Sequence, residues 1–103
     1  MEGMVRSFLE VEISDQEYYD GIIDFIYNGN IRCGEYECNE FVIRKMDLLN
    51  FIVFIEYVID EKREIHGSFS MSKNKLLRAI NEYAKKQGFK IRDFKGFPKH
   101  KGY

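Results

Sequence analysis

The chain has 103 residues, the size of one domain, and its 45% hydrophobic and 16% aromatic content excludes a disordered chain, since a domain of this length buries roughly two-thirds of its unfolded surface. The formal net charge of −1 conceals a segregation: residues 1–70 carry six basic and fifteen acidic side chains, a net of −9, and residues 71–103 carry ten and two, a net of +8. The longest apolar run, residues 48–59, is interrupted by Asn50 and Glu56 and falls short of the ~20 residues a membrane-spanning helix needs, so no membrane segment is expected.

Met1-Glu2-Gly3-Met4 leads into charged alternation without the basic, apolar and small-residue regions of a signal peptide, which predicts an intracellular protein. Ile, Lys, Asn, Phe, Tyr and Met are abundant, Pro occurs once and Trp is absent. Codons for the abundant residues are AT-rich, which points to an AT-rich genome, as in many viruses, mobile elements and some bacteria and archaea.

Residues 5–13 alternate, with Leu9, Val11 and Ile13 opposite Arg6, Glu10 and Glu12, the period of a half-buried strand. Ser14-Asp15-Gln16-Glu17 has the form of a capping box and opens a helix with Tyr18, Tyr19, Ile22, Ile23 and Ile26 on its apolar face. Gly21 is a weak point in it, and Asn28-Gly29-Asn30 offers a left-handed residue to end it. Residues 33–38 read as a loop, 40–46 as a strand and 48–60 as a long strand, being almost entirely β-branched or aromatic. Asp60-Glu61-Lys62-Arg63 supplies a four-residue hairpin connection to a strand over 64–71. Ser72 caps a second helix with Leu76, Leu77, Ile80, Tyr83 and Ala84 on its buried stripe, ended by Gly88. A short strand over 89–94 and a basic, aromatic tail over 95–103 follow. The expectation is one α+β domain over 1–94, mostly antiparallel sheet with two helices, in the order β-α-β-β-β-α-β.

The long strand is apolar on both sides, so both sheet faces require cover. With both helices on one face, Phe8, Ile52, Phe54 and Val58 would form an open apolar patch on the other. A patch of that kind marks an interface, and the expectation is a homodimer unless the tail's Phe94 and Phe97 cover it.

Basic residues interleave with aromatics and glycines from Phe89 to the end of the chain. Cations neutralise phosphates and release counterions, while aromatic rings give unstacked bases a platform. Lys73, Lys75, Arg78, Lys85, Lys86, Lys90, Arg92, Lys95, Lys99 and Lys101 are the candidate phosphate contacts, with Phe94, Phe97 and Tyr103 as stacking rings. The alternatives are that this segment only confers solubility, or that it docks on the chain's own acidic part. Glu10, Glu12, Glu17, Asp20 and Asp24 could instead form a carboxylate field that occupies a basic groove of a partner protein.

Cys33 and Cys38 lack a second close ligand pair, since His66 and His100 are isolated in sequence, so no metal or other cofactor is expected. No hydrolase, metalloprotease or phosphate-loop motif occurs. Asp60-Glu61-Lys62, with Asp47 as an earlier carboxylate, fits the short acidic-x-Lys element of metal-dependent nucleases, but a turn positions such groups poorly. His66, near Ser68 and Ser70, has no third orienting group. The α-β-β-β-α order over 14–87, with lysines opening the second helix, is similar to that of double-stranded-RNA-binding domains; the initial strand and the missing small-residue pattern in that helix depart from it. The function expected is non-enzymatic nucleic-acid binding through the basic C-terminal third. The alternative is a protein-binding inhibitor or accessory factor of viral or mobile-element type.

Overall fold

The computed structural model describes residues 2–92, in the order α1 (Glu2–Glu12), α2 (Gln16–Tyr27), β1 (Gly34–Glu37), β2 (Phe41–Lys45), β3 (Asn50–Ile59), β4 (Lys62–Ser72) and α3 (Lys73–Lys86). The α+β class with an antiparallel sheet holds, each strand pairing with the next in the order β1-β2-β3-β4. Phe94, Lys95, Phe97, Lys99, Lys101 and Tyr103, with the tail over 95–103, lie outside the described residues. Among the described residues, no helix is long and apolar enough to cross a membrane.

The first element is a helix, where alternation over 5–13 predicts a strand. Alternation held only over Leu9, Val11 and Ile13, whereas Phe8 breaks it and is fully buried in the core. Met4, Val5, Phe8, Leu9 and Glu12 lie at helical spacing. Glu12 disguised this stripe, because its carboxylate lies on the buried face. There it accepts the backbone N–H groups of Asn39 (2.8 Å), Glu40 (2.7 Å) and Phe41 (2.8 Å), tying α1 to the turn between β1 and β2.

α2 is capped by Asp15 rather than Ser14, its carboxylate accepting the Tyr18 N–H at 2.9 Å. No left-handed residue ends it: Asn28 is extended, and the final carbonyls are held from across the core by Lys45. The Lys45 ammonium donates to Phe25 O (3.1 Å) and Asn28 O (2.8 Å), at the negative end of the helix dipole. Burial pushes this amine below its ordinary pKa, and the charge of Lys73 adds to the effect. Gly21 serves close packing. A Cβ there would stand 2.7 Å from the Tyr36 hydroxyl oxygen, so the missing side chain lets β1 lie against α2.

The expected loop over 33–38 contains β1, a short edge strand whose alternation shows only in Glu35, Tyr36 and Glu37. The β3–β4 connection is a two-residue turn, with Asp60 and Glu61 both at positive φ (52° and 65°), as the hairpin twist requires. Farther down β4 the register slips, since Phe54 faces Ser68 but Glu56 faces Ile65. Gly67, at φ 131°, lies in this bulge, where a Cβ would come within 3.0 Å of the Met4 side chain of α1.

The core lies between one face of the sheet and all three helices. Phe41, Ile43, Phe51, Val53 and Phe69 meet Phe8 of α1, the apolar face of α2, and Leu76, Leu77, Ile80 and Ala84 of α3. The Phe8 ring meets Phe41 and Phe69 edge-on, at 5.5 and 6.1 Å. After α3 the chain forms no strand over residues 89–92. It is stapled to α2 by side chains: Gln16 exchanges two hydrogen bonds with the Lys90 backbone (2.8 and 2.9 Å), and the Tyr19 hydroxyl accepts the Arg92 N–H at 2.8 Å. The helix before α2 and the four-stranded sheet also separate this order from that of double-stranded-RNA-binding domains.

Candidate nucleic-acid interface

Helical spacing turns Leu76, Leu77, Ile80 and Ala84 into the core and leaves Lys75, Arg78, Lys85 and Lys86 exposed together on the outer side of α3. The Ser72 hydroxyl caps the helix by accepting the Lys75 N–H at 3.3 Å. At 1.5 Å per residue the four cations span about 16 Å. Glu82 is the single carboxylate of this face. Lys85 and Lys86 occupy the last turn, where the helix dipole favours cations.

The remaining described basic candidates separate from this group. Lys73 is half-buried, its ammonium 4.9 Å from the Tyr27 ring centroid. Arg92 pairs with Asp24 of α2, so part of the basic segment does dock on the chain's own acidic surface. Lys90 is exposed beside the staple to α2. Burial raises the pKa of Tyr19 in that staple, where its hydroxyl donates to Asn81 Oδ1 at 2.6 Å. The expected carboxylate field is also divided, with Glu12 buried and Asp24 engaged by Arg92.

The sheet face that no described helix covers differs from the apolar patch expected. Phe8 is in the core on α1, and Phe54, though on the open side, is 1% exposed beneath the Arg44 guanidinium, which stands 4.9 Å above its ring. Ile52 is half-buried. Arg44 and Arg63 both bind Glu35, and Arg63 also binds Glu56, so an ionic chain crosses this face. The Arg44 hydrogen bond, with the charges of Arg44 and Arg63, holds the Glu35 carboxyl below its ordinary pKa against the opposing effect of burial.

Val58 belongs instead to a projecting arm. β2 pairs with β3 only as far as Ile55, so the ends of β3 and β4 continue as a two-stranded ribbon. Tyr57, Val58, Ile59 and Ile65 are 46–67% exposed along it. His66 meets the Tyr57 ring edge-on at 4.8 Å and has its Nε2 3.3 Å from the Glu64 carboxylate. Asp60 and Glu61 form the arm's turn, while Asp47 caps another turn by accepting the Leu49 N–H at 2.8 Å.

Cys33 and Cys38 are free thiols, Cys38 half-buried with its pKa pushed up to about 12 by burial and by the charge of Glu12. Among the described residues, no three His, Cys, Asp or Glu side chains gather as a metal site.

α1 and α3 bound an open cleft of about 870 Å³, with Arg6 and Glu10 on one wall and Glu82, Tyr83 and Lys86 on the other. Reading residues 5–13 as a strand hid it, because only the helix aligns Arg6, Leu9 and Glu10 beside α3. The helical spacing of Val5, Phe8, Leu9 and Glu12 was the available signal. Comparison with family models, curated proteins and solved structures finds no match for this chain.

Proposed function

We propose that this chain is a non-enzymatic, intracellular nucleic-acid-binding protein that holds a phosphate backbone along the outer side of α3. The observation that carries this reading is the grouping of Lys75, Arg78, Lys85 and Lys86 on one exposed face of a core-anchored helix, beside a single carboxylate. Lys90 and the following Lys95, Lys99 and Lys101 extend the basic run in sequence, with Phe94, Phe97 and Tyr103 among them as stacking rings. No helix motif for reading bases in a major groove accompanies them, which favours single strands or recognition of shape.

Fluorescence anisotropy with a labelled single-stranded 20-mer tests the reading. Four phosphate contacts give a slope of log K against log salt near −2.8, or about a 50-fold loss of affinity between 50 and 200 mM salt. Lys85→Gln/Lys86→Gln lowers the magnitude of the slope by about 1.4. Absence of binding at 50 mM, or an unchanged slope in the double variant, would falsify the assignment.

The arm favours a second reading. Tyr57, Val58, Ile59 and Ile65, exposed together on a ribbon with open edges, suit a partner protein, as an accessory factor of viral or mobile-element type requires, or a second copy in a homodimer. Sedimentation equilibrium at micromolar concentration tests the homodimer, which a purely monomeric profile excludes.

A further inference from the structure

The cleft between α1 and α3 differs in charge from the face beside it. Among the described residues, Arg6 and Lys86 are offset by Glu10 and Glu82, so this lining is neutral and does not favour a phosphate. Val5, Leu9 and Met71 give it apolar surface, and Tyr83 contributes an aromatic ring. A flat, uncharged ring with hydrogen-bond donors on its edge matches such a lining: the ring meets apolar and aromatic surface, and its donors meet carboxylates. Lys86 belongs to both the cleft and the cationic face, so a strand held along α3 passes the cleft's mouth.

We propose that this cleft receives one unstacked base of a single strand, packed against Tyr83 and the apolar lining, with its exocyclic amino group donating to Glu10 or Glu82. The inference rests on the phosphate-binding reading of α3 and adds the class of nucleic acid to it. A paired base in a duplex is stacked and its amino group engaged, so single strands bind more tightly than duplex. Cytosine presents an amino donor where thymine presents a carbonyl oxygen, so cytosine is preferred.

The test measures anisotropy at 50 mM salt with oligo(dC), oligo(dT) and duplex 12-mers on the full chain. Oligo(dC) should bind more tightly than oligo(dT) and than duplex. Tyr83→Phe, which keeps the ring, should bind as the parent does. Tyr83→Leu should weaken oligo(dC) binding by between about 5- and 150-fold, the range of one lost stacking contact, while duplex affinity and the salt slope stay unchanged. Tyr83 packs against the core, so a second variant uses exposed residues only: Glu10→Ala/Glu82→Ala should bring the affinity ratio of oligo(dC) to oligo(dT) to about one. Duplex binding as tight as single-strand binding, or a Tyr83→Leu effect below twofold in a folded protein, overturns the base site while leaving the phosphate reading standing. Equal parental affinity for oligo(dC) and oligo(dT), or an unchanged ratio in the double variant, overturns it in the same way. Absence of salt-sensitive binding to every oligonucleotide overturns both.

Discussion

Replacing Glu12 removes a carboxylate that three backbone N–H groups share at 2.7–2.8 Å in a fully buried position. Glutamine has nearly the same shape. Two of the donors, Glu40 and Phe41, converge on one oxygen, so the amide does best by placing its oxygen there and keeping two uncharged bonds. Its NH2 then faces the Asn39 N–H, donor against donor. A charge-assisted bond is roughly twice as strong as a neutral one, and a donor left unsatisfied costs about 1–3 kcal/mol. Together these put Glu12→Gln at about 2–4 kcal/mol. Glu12→Ala strands the buried Phe41 N–H, at about 1–3 kcal/mol, and gives up the charge-assisted bonds to Asn39 and Glu40, for about 3–5 kcal/mol in all. Typical domains have about 5–15 kcal/mol in all, so either change consumes a large fraction. With a urea m-value of about 1.5 kcal/mol/M, a loss of 3 kcal/mol moves the midpoint by about 2 M. Urea unfolding followed by circular dichroism measures this, and amide exchange at residues 39–41 should accelerate. A Glu12→Gln protein within about 0.5 kcal/mol of the parent, with unchanged exchange at those amides, would refute the reasoning.

Gly21→Ala gains about 1 kcal/mol of helix propensity but sets a methyl group 2.7 Å from the Tyr36 hydroxyl oxygen, an overpacking of about 1–3 kcal/mol. Thermal unfolding should show it neutral to destabilising in the parent and stabilising in a Tyr36→Phe background; the same sign in both would sink the argument. Glu35 titrates below its ordinary 4.5 because it is hydrogen-bonded to Arg44, so its contribution is present above about pH 4.5 and is lost as pH falls through the folded value. Arg44→Met should therefore destabilise the protein more at pH 7 than at pH 2, and an equal loss at both would contradict it. Iodoacetamide at pH 8 should alkylate exposed Cys33 in the native protein and reach Cys38, its thiol pushed up to about 12, only in urea. Equal rates at the two positions would count against the burial of Cys38.

α3 was the most legible element, because its Ser72 cap, apolar stripe and Gly88 stop agree with one another. The central strands were legible from their β-branched and aromatic content, and only their ends shifted. α1 was not, because a buried carboxylate occupies a position that a hydrophobic pattern reserves for an apolar side chain. The end of α2 was hidden for the same kind of reason: a lysine 17 residues after Asn28 does what a local glycine was expected to do. The cationic face of α3 followed from the helix alone, but the pairing of Arg92 with Asp24 joins positions 68 residues apart and has no local signal. Phe54 illustrates the limit on sheet faces. Alternation places it on the side away from the helices, yet only the structure shows that Arg44 lies over it.

The projecting arm also bears on self-association between copies of this chain. A net charge of −1 gives little mutual repulsion between molecules at neutral pH. Among the described residues, a ribbon with open backbone edges and exposed valine, isoleucine and tyrosine is the part best suited to recruit further strands and seed an aggregate. The tip answers with five successive charged residues, Asp60, Glu61, Lys62, Arg63 and Glu64, which act as gatekeepers beside the apolar positions. Protection of these edges therefore rests on the placement of charge at one hairpin tip, which the chain's near-zero net charge does not reveal.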